Sequence, residues 1–92
     1  MRITNILTIR NLIMEIKVLG TGCPRCKALE QLVFNSLAEL NIAADVSKVE
    51  DIMKIMEYGV MHTPVLVING KVVLSGRVPS MSEIKNIITQ NQ

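Results

Sequence analysis

Both cysteines of the chain stand in one short stretch, Gly20-Thr21-Gly22-Cys23-Pro24-Arg25-Cys26-Lys27, with two residues between them. A pair at this spacing can cycle between dithiol and disulfide, hold half of a metal site, or pack as two small buried side chains. The flanks separate these readings. Met14 to Leu19, MEIKVL, is short and β-favouring, and it stops at a Gly-Thr-Gly break. From Pro24 to Leu40 apolar residues recur at Leu29, Leu32, Val33, Leu37 and Leu40, with Ser36 a gap, which describes one face of a helix. The cysteines therefore sit where a strand has ended and a helix begins. Unpaired amides at a helix start, with about half a positive charge, favour thiolate over thiol. Cys23 lies just outside the helix, and Pro24 suits its first turn, where an amide hydrogen has no partner to lose. Arg25 adds a full positive charge and Lys27 a weaker one. The expectation is a Cys23 pKa drawn down from ~8.5 into the range of about 3.5–7.5. Cys26, one helical turn on, is its neighbour at a separation that suits a disulfide. A substrate disulfide attacked by Cys23 gives a mixed disulfide, and Cys26 resolves it by attacking the Cys23 sulfur.

The remaining elements follow from local signals. Ala43 to Val49 reads as a modest strand. Asp51 can cap a short helix with Ile52, Ile55 and Met56 as its inner face and Gly59 at its exit. Val65-Leu66-Val67-Ile68, Asn69-Gly70 and Lys71-Val72-Val73-Leu74 form a hairpin, because Asn-Gly tolerates the positive φ angles of a type I′ turn. Ser80-Met81-Ser82-Glu83 resembles a capping box in which hydroxyl and carboxylate satisfy free amides reciprocally, ahead of a helix facing inward with Met81, Ile84, Ile87 and Ile88. The order is strand, helix, strand, helix, hairpin, helix, without repeats or linkers.

Composition narrows the function. Ninety-two residues make one domain with a modest core, and 49% hydrophobic content argues against disorder. Aromatics are only 2%, so the core must be built from Ile, Leu, Val and Met. A net charge of +2, with no basic run and no stacking aromatics, gives nucleic-acid binding little support. No apolar stretch approaches the length of a membrane span. Residues 1–13, MRITNILTIRNLI, are mildly basic and apolar, but Thr4, Asn5, Thr8, Arg10 and Asn11 interrupt any signal-peptide core. They are expected to be an N-terminal extension to a domain over residues 14–92. The expected location is cytoplasmic, where paired thiols seldom serve as structural staples.

Two segments together, GTGCPRC from Gly20 to Cys26 and MHTPVLVING from Met61 to Gly70, resemble the thioredoxin/glutaredoxin superfamily. The similarity is closer to its small redox-active disulfide proteins of archaea and bacteria, and it covers about Met14 to Gln90. It implies a thioredoxin-like three-layer α/β/α fold with a four-stranded mixed sheet, in the order β-α-β-α-β-β-α. It implies that the strand after Pro64 runs antiparallel beside Met14–Leu19. It also implies that Pro64 is cis and faces the active disulfide, with the Thr63 backbone pairing an incoming substrate chain. The chain departs from thioredoxin itself in Gly22 before the first cysteine, in Pro24-Arg25 between the two, and in Lys17 where thioredoxin has a buried Asp. Cys-Pro-x-Cys is nearer the glutaredoxin pattern, without a clear set of charges for glutathione.

The expected function is a thiol–disulfide oxidoreductase with no cofactor and no resident metal. Its partners would be disulfide-containing proteins and an unidentified thiol reductase or electron donor. The alternative is a small copper or zinc chaperone or sensor using the two thiolates. Ferredoxin-like metal-binding domains, however, do not end in a hairpin and then a helix. His62, the only histidine, reads as an exposed loop residue, and Met53 and Met56 as helix packing. Tyr58 reads as closing the core.

Overall fold

Val65-Leu66-Val67-Ile68 is apolar at every position, which suits a strand covered on both faces. The structure, a computed structural model describing residues 14–91, places it inside the sheet with all four residues buried. The expected extension over residues 1–13 lies outside the described residues. In chain order the elements are β1 (Met14–Leu19), α1 (Pro24–Leu40), β2 (Ala44–Val49), α2 (Ile52–Glu57), β3 (Val65–Ile68), β4 (Lys71–Ser75) and α3 (Met81–Gln90). The sheet order is β2-β1-β3-β4. β1 runs parallel to β2 and antiparallel to β3, with Leu19 opposite Val65. The end of β1 and the start of β3 therefore meet at one edge of the molecule.

Alternation along the inner strands divides the core into two layers. Ile16 and Val18 of β1 and Leu66 and Ile68 of β3 pack against Leu29, Val33 and Leu37 of α1 and Ile84 and Ile88 of α3. Leu19, Val65 and Val67 point the other way and meet Ile55 of α2, with Val49, Tyr58 and Val60 closing the edge. Helices thus cover both faces, as the thioredoxin-like architecture requires.

Local signals end most elements where expected. Asn41 closes α1 in the left-handed conformation (φ 57°), its amide reaching back to the last turn, as Asn can. Asn69 and Gly70 both have positive φ, giving the two-residue hairpin turn. The Asn69 side chain also accepts from the Glu15 amide at 2.9 Å, tying the turn to β1. A bulge between Leu66 and Val67 inserts Val73 into β4, a feature without a residue signature in the strand.

Two expectations need correction. Asp51 does cap α2, accepting from the Met53 amide at 2.9 Å, but Ile55 is the only inward residue of this six-residue helix. Ile52, Met53 and Met56 are 56%, 67% and 62% exposed, so the methionines do not serve packing. A helix of under two turns offers one inward position, and apolar residues beside it have nowhere to go but the surface. The capping box of α3 is half made. The Ser80 hydroxyl accepts from the Glu83 amide at 3.2 Å, whereas the Glu83 carboxylate turns outward to the Arg77 guanidinium, 2.8 Å from Nη1.

The two isoleucines of α2 make this distinction measurable. Ile55→Ala should cost about 2–4 kcal/mol by denaturant unfolding, as expected for a buried side chain. Ile52→Ala should stay within about 0.5 kcal/mol.

Candidate active site

The polypeptide leaves β1 at Leu19 and enters α1 at Pro24 through Gly20, Thr21, Gly22 and Cys23. Gly22 takes a positive φ of 85°, which glycine adopts without a Cβ penalty. Cys23 is the N-cap residue of α1, in extended conformation, and Pro24 follows at the first helical position. The Cys23 carbonyl accepts the first helical hydrogen bond, from the Lys27 amide at 3.1 Å. The Cys23 Sγ accepts from the Cys26 amide at 3.3 Å, the bond an N-cap oxygen would otherwise make. The thiol is thus aimed at the donors that the helix start leaves free.

The two sulfurs have different surroundings, and both are free thiols. Cys23 is half-exposed, whereas Cys26 is 5% exposed beneath the helix. The Cys26 thiol and then its backbone amide draw the Cys23 pKa below the ordinary thiol value, with a smaller contribution from the Arg25 amide. Burial pushes Cys26 up, and its hydrogen bond to Cys23 adds to that. One thiol is stabilised as the anion while the other is kept protonated. The exposed Arg25 side chain is absent from the causes acting on Cys23; its backbone amide is what contributes.

Gly20 sets how close Cys26 can lie to β1. A Cβ built on Gly20 would fall 2.2 Å from the Cys26 Sγ, so any side chain there would displace the sulfur. The same point is 4.0 Å from the Thr63 Cβ. The structure therefore brings Thr63 to the cysteine loop from 40 residues along the chain. The Thr63-Pro64 bond is cis, and Pro64 is buried at the head of β3. Among the described residues, no backbone hydrogen bond outside the regular elements engages Thr63, while the Pro64 carbonyl accepts from the Gly76 amide at 2.8 Å.

Comparison with known proteins places the fold and the family. The thioredoxin domain family model matches residues 14–89. The chain belongs to the thioredoxin domain family. It is 37% identical over 76 residues to a thioredoxin of Methanothermobacter thermautotrophicus, covering 83% of this chain and 99% of that protein. A thioredoxin of Methanocaldococcus jannaschii is 39% identical over 70 residues, covering 76% of this chain and 80% of its own. The crystal structure of a reduced thioredoxin pre-protein from Schistosoma mansoni matches with a TM-score of 0.64. That match spans 99% of this chain and 90% of the other, and at 19% identity it is a likeness of fold. Membership in the family makes the chain a thiol–disulfide oxidoreductase.

Within this thioredoxin-family fold, the other singled-out residues fall away from the sulfurs or at their margin. Lys17 points to the α2 face of the sheet, where its Nζ lies 3.5 Å from the Tyr58 hydroxyl, and the strand residue on the cysteine side is Val18. His62 is exposed, and a Cβ on Gly76 would sit 3.2 Å from its own Cβ. Among the described residues, no three of His, Cys, Asp and Glu converge as a metal site. Among them also, no helix is long and apolar enough to cross a membrane. Sequence reasoning overlooked two residues near Cys26: Gly20, taken only as a strand terminator, and Glu50, at the exit of β2. Glu50 carries no motif and Gly20 was legible only as part of the Gly-Thr-Gly lead-in, since each matters through what the fold places beside it.

The largest influence on the Cys23 thiol is the Cys26 thiol, so removing that thiol should shift the titration. Alkylation of Cys23 should rise with pH and level off below the range of an ordinary thiol. In Cys26→Ala the plateau should move to higher pH, as measured by iodoacetamide rates with mass mapping.

Proposed function

We propose that Cys23 is the attacking thiolate and Cys26 the resolving thiol of a dithiol–disulfide cycle acting on protein disulfides. The observation that carries this reading is the unequal placement of the pair. The Cys23 sulfur caps the helix at the surface and Cys26 lies buried one turn behind it. In the reductive direction, Cys23 attacks one sulfur of the substrate disulfide and the other sulfur leaves as a thiolate. Cys26 then attacks the Cys23 sulfur, the internal disulfide forms, and the second substrate thiolate departs. Two electrons pass to the substrate, and a thiol reductase or other donor must return them.

Thr63 and Pro64 are the proposed substrate-binding residues. The Thr63 backbone beside the cysteine loop, free among the described residues, can pair with an extended substrate segment, in the manner of a strand added to a sheet edge. The adjoining surface suits a polypeptide rather than a small polar molecule. A groove of about 400 Å³ next to Thr63 is lined by Ile52, Met56, Val60 and Met61, and Met61 is 91% exposed. A cytoplasmic setting is proposed with this reading, because paired thiols there seldom serve as structural staples.

Arg25 is proposed as a minor modulator of Cys23, because an exposed charge is screened by water and salt. Arg25→Glu should raise the Cys23 pKa less than removal of the Cys26 thiol does, read from thiolate absorbance. A rise equal to or larger than that in Cys26→Ala would make the side chain, rather than the helix start, the main determinant.

Trapping tests the order of attack. Cys26→Ser should accumulate mixed disulfides with cell proteins through Cys23, and the captured proteins name the substrates. Cys23→Ser should trap none. Equal trapping by both variants would exclude the assigned roles.

A further inference from the structure

A buried thiol must lose its proton before it can attack, and the surroundings of Cys26 hold that proton in place. Burial raises its pKa, and β1 offers only the apolar Val18 and the bare Gly20 on the side of the sulfur. Cys23 cannot accept the proton during resolution, because its sulfur is then bonded to substrate. The acceptor must come from another element.

One small cavity reaches Cys26. Its volume is about 20 Å³, enough for a single water. Val18, Gly20 and Cys26 form its inner wall, and Glu30, Lys48 and Glu50 stand at its rim. The charged groups facing this space are Lys27 and Glu30 from α1 and Lys48 and Glu50 from β2 and its exit. On the remaining sides, Lys17 points to the opposite face of the sheet and His62 packs toward Gly76. Of the two carboxylates, Glu30 is engaged by Lys48 at 3.8 Å. Among the described residues, no hydrogen bond or ion pair occupies the Glu50 side chain. Its Oε2 lies 3.3 Å from where a Gly22 side chain would begin, so it overhangs the loop between β1 and Cys23.

The geometry points to Glu50 as the group that takes the proton from the Cys26 thiol, through the cavity, as Cys26 resolves the mixed disulfide. This rests on the resolving role proposed for Cys26. The proton leaves Cys26 Sγ for the Glu50 carboxylate, directly or across one water. The Cys26 thiolate then forms the bond to Cys23 Sγ while the bond from Cys23 to the substrate sulfur breaks. The electron pair departs with the substrate thiolate, which is protonated by solvent, and Glu50 returns its proton to bulk water at the open rim. Placing the acceptor at the mouth of the cavity lets it exchange with solvent while the sulfur stays covered.

Dipyridyl disulfide separates the two steps in a stopped-flow experiment with the full chain. One thiopyridone is released when Cys23 attacks and a second when Cys26 resolves. Glu50→Gln should leave the first phase unchanged. It should slow the second roughly tenfold or more near neutral pH, as loss of a general base does. The deficit should close as pH rises and the thiol ionises unaided. Glu50→Asp should recover part of the rate, and Glu30→Gln should follow the original pH profile. A second phase unchanged in Glu50→Gln, or slowed by the same factor at every pH, would overturn the assignment. So would the pH-dependent deficit appearing in Glu30→Gln instead. Cys26→Ser should lack the second phase altogether; a second phase persisting there would sink the resolving role itself, whatever Glu50 does.

Discussion

The hydrogen bond from the Cys26 amide to the Cys23 sulfur is the contact on which the proposed chemistry depends. It exists because α1 begins one residue after Cys23, so that the sulfur takes the place of a capping oxygen. A helix start is a useful electrostatic device only if it is held still. Leu29, Val33 and Leu37 bury one face of α1 against β1, β3 and α3, and this packing fixes the direction of its free amides. The hydrophobic layer and the thiolate are thus parts of one arrangement.

The same arrangement separates the two sulfurs. Residues three apart on a helix share a side but not a depth, and the first turn of α1 leaves Cys23 at the surface while Cys26 sinks against Gly20. The contact at Gly20 is possible only because β1 ends there without a side chain. Depth divides the labour: the Cys26 thiol and the helix amides favour the anion at Cys23, and burial favours the protonated form at Cys26. The antiparallel pairing of β3 with β1 then carries Thr63 to the same edge.

Legibility in the sequence varied with how local the cause was. The Asn69-Gly70 turn, the Asn41 end of α1 and the all-apolar β3 depend on residue type and immediate neighbours, and each occurs where the residues suggest. The inner face of α2 did not follow its pattern. Ile55 and Met56 have helical spacing relative to Ile52, yet the helix is too short to lay more than one side chain on the sheet. Glu83 was read as half of a capping box, but Arg77, placed by the loop after β4, supplies a stronger, charge-assisted partner. The bulge at Val73 arises from matching two strands, which neither strand encodes alone.

For the site, the residues by themselves determined the pair of thiols, their spacing, and the start of a helix between them. These follow from short-range rules of capping, proline placement and side-chain periodicity. The approach of Thr63 to the cysteine loop was legible through family likeness, and sheet pairing is its physical cause. Tertiary structure alone decided how closely Gly20 lets Cys26 approach β1 and which carboxylate overhangs the cavity beside it. Those are distances between segments far apart in the chain. They depend on how two packed layers settle around the sheet, and no single segment of the sequence contains that information.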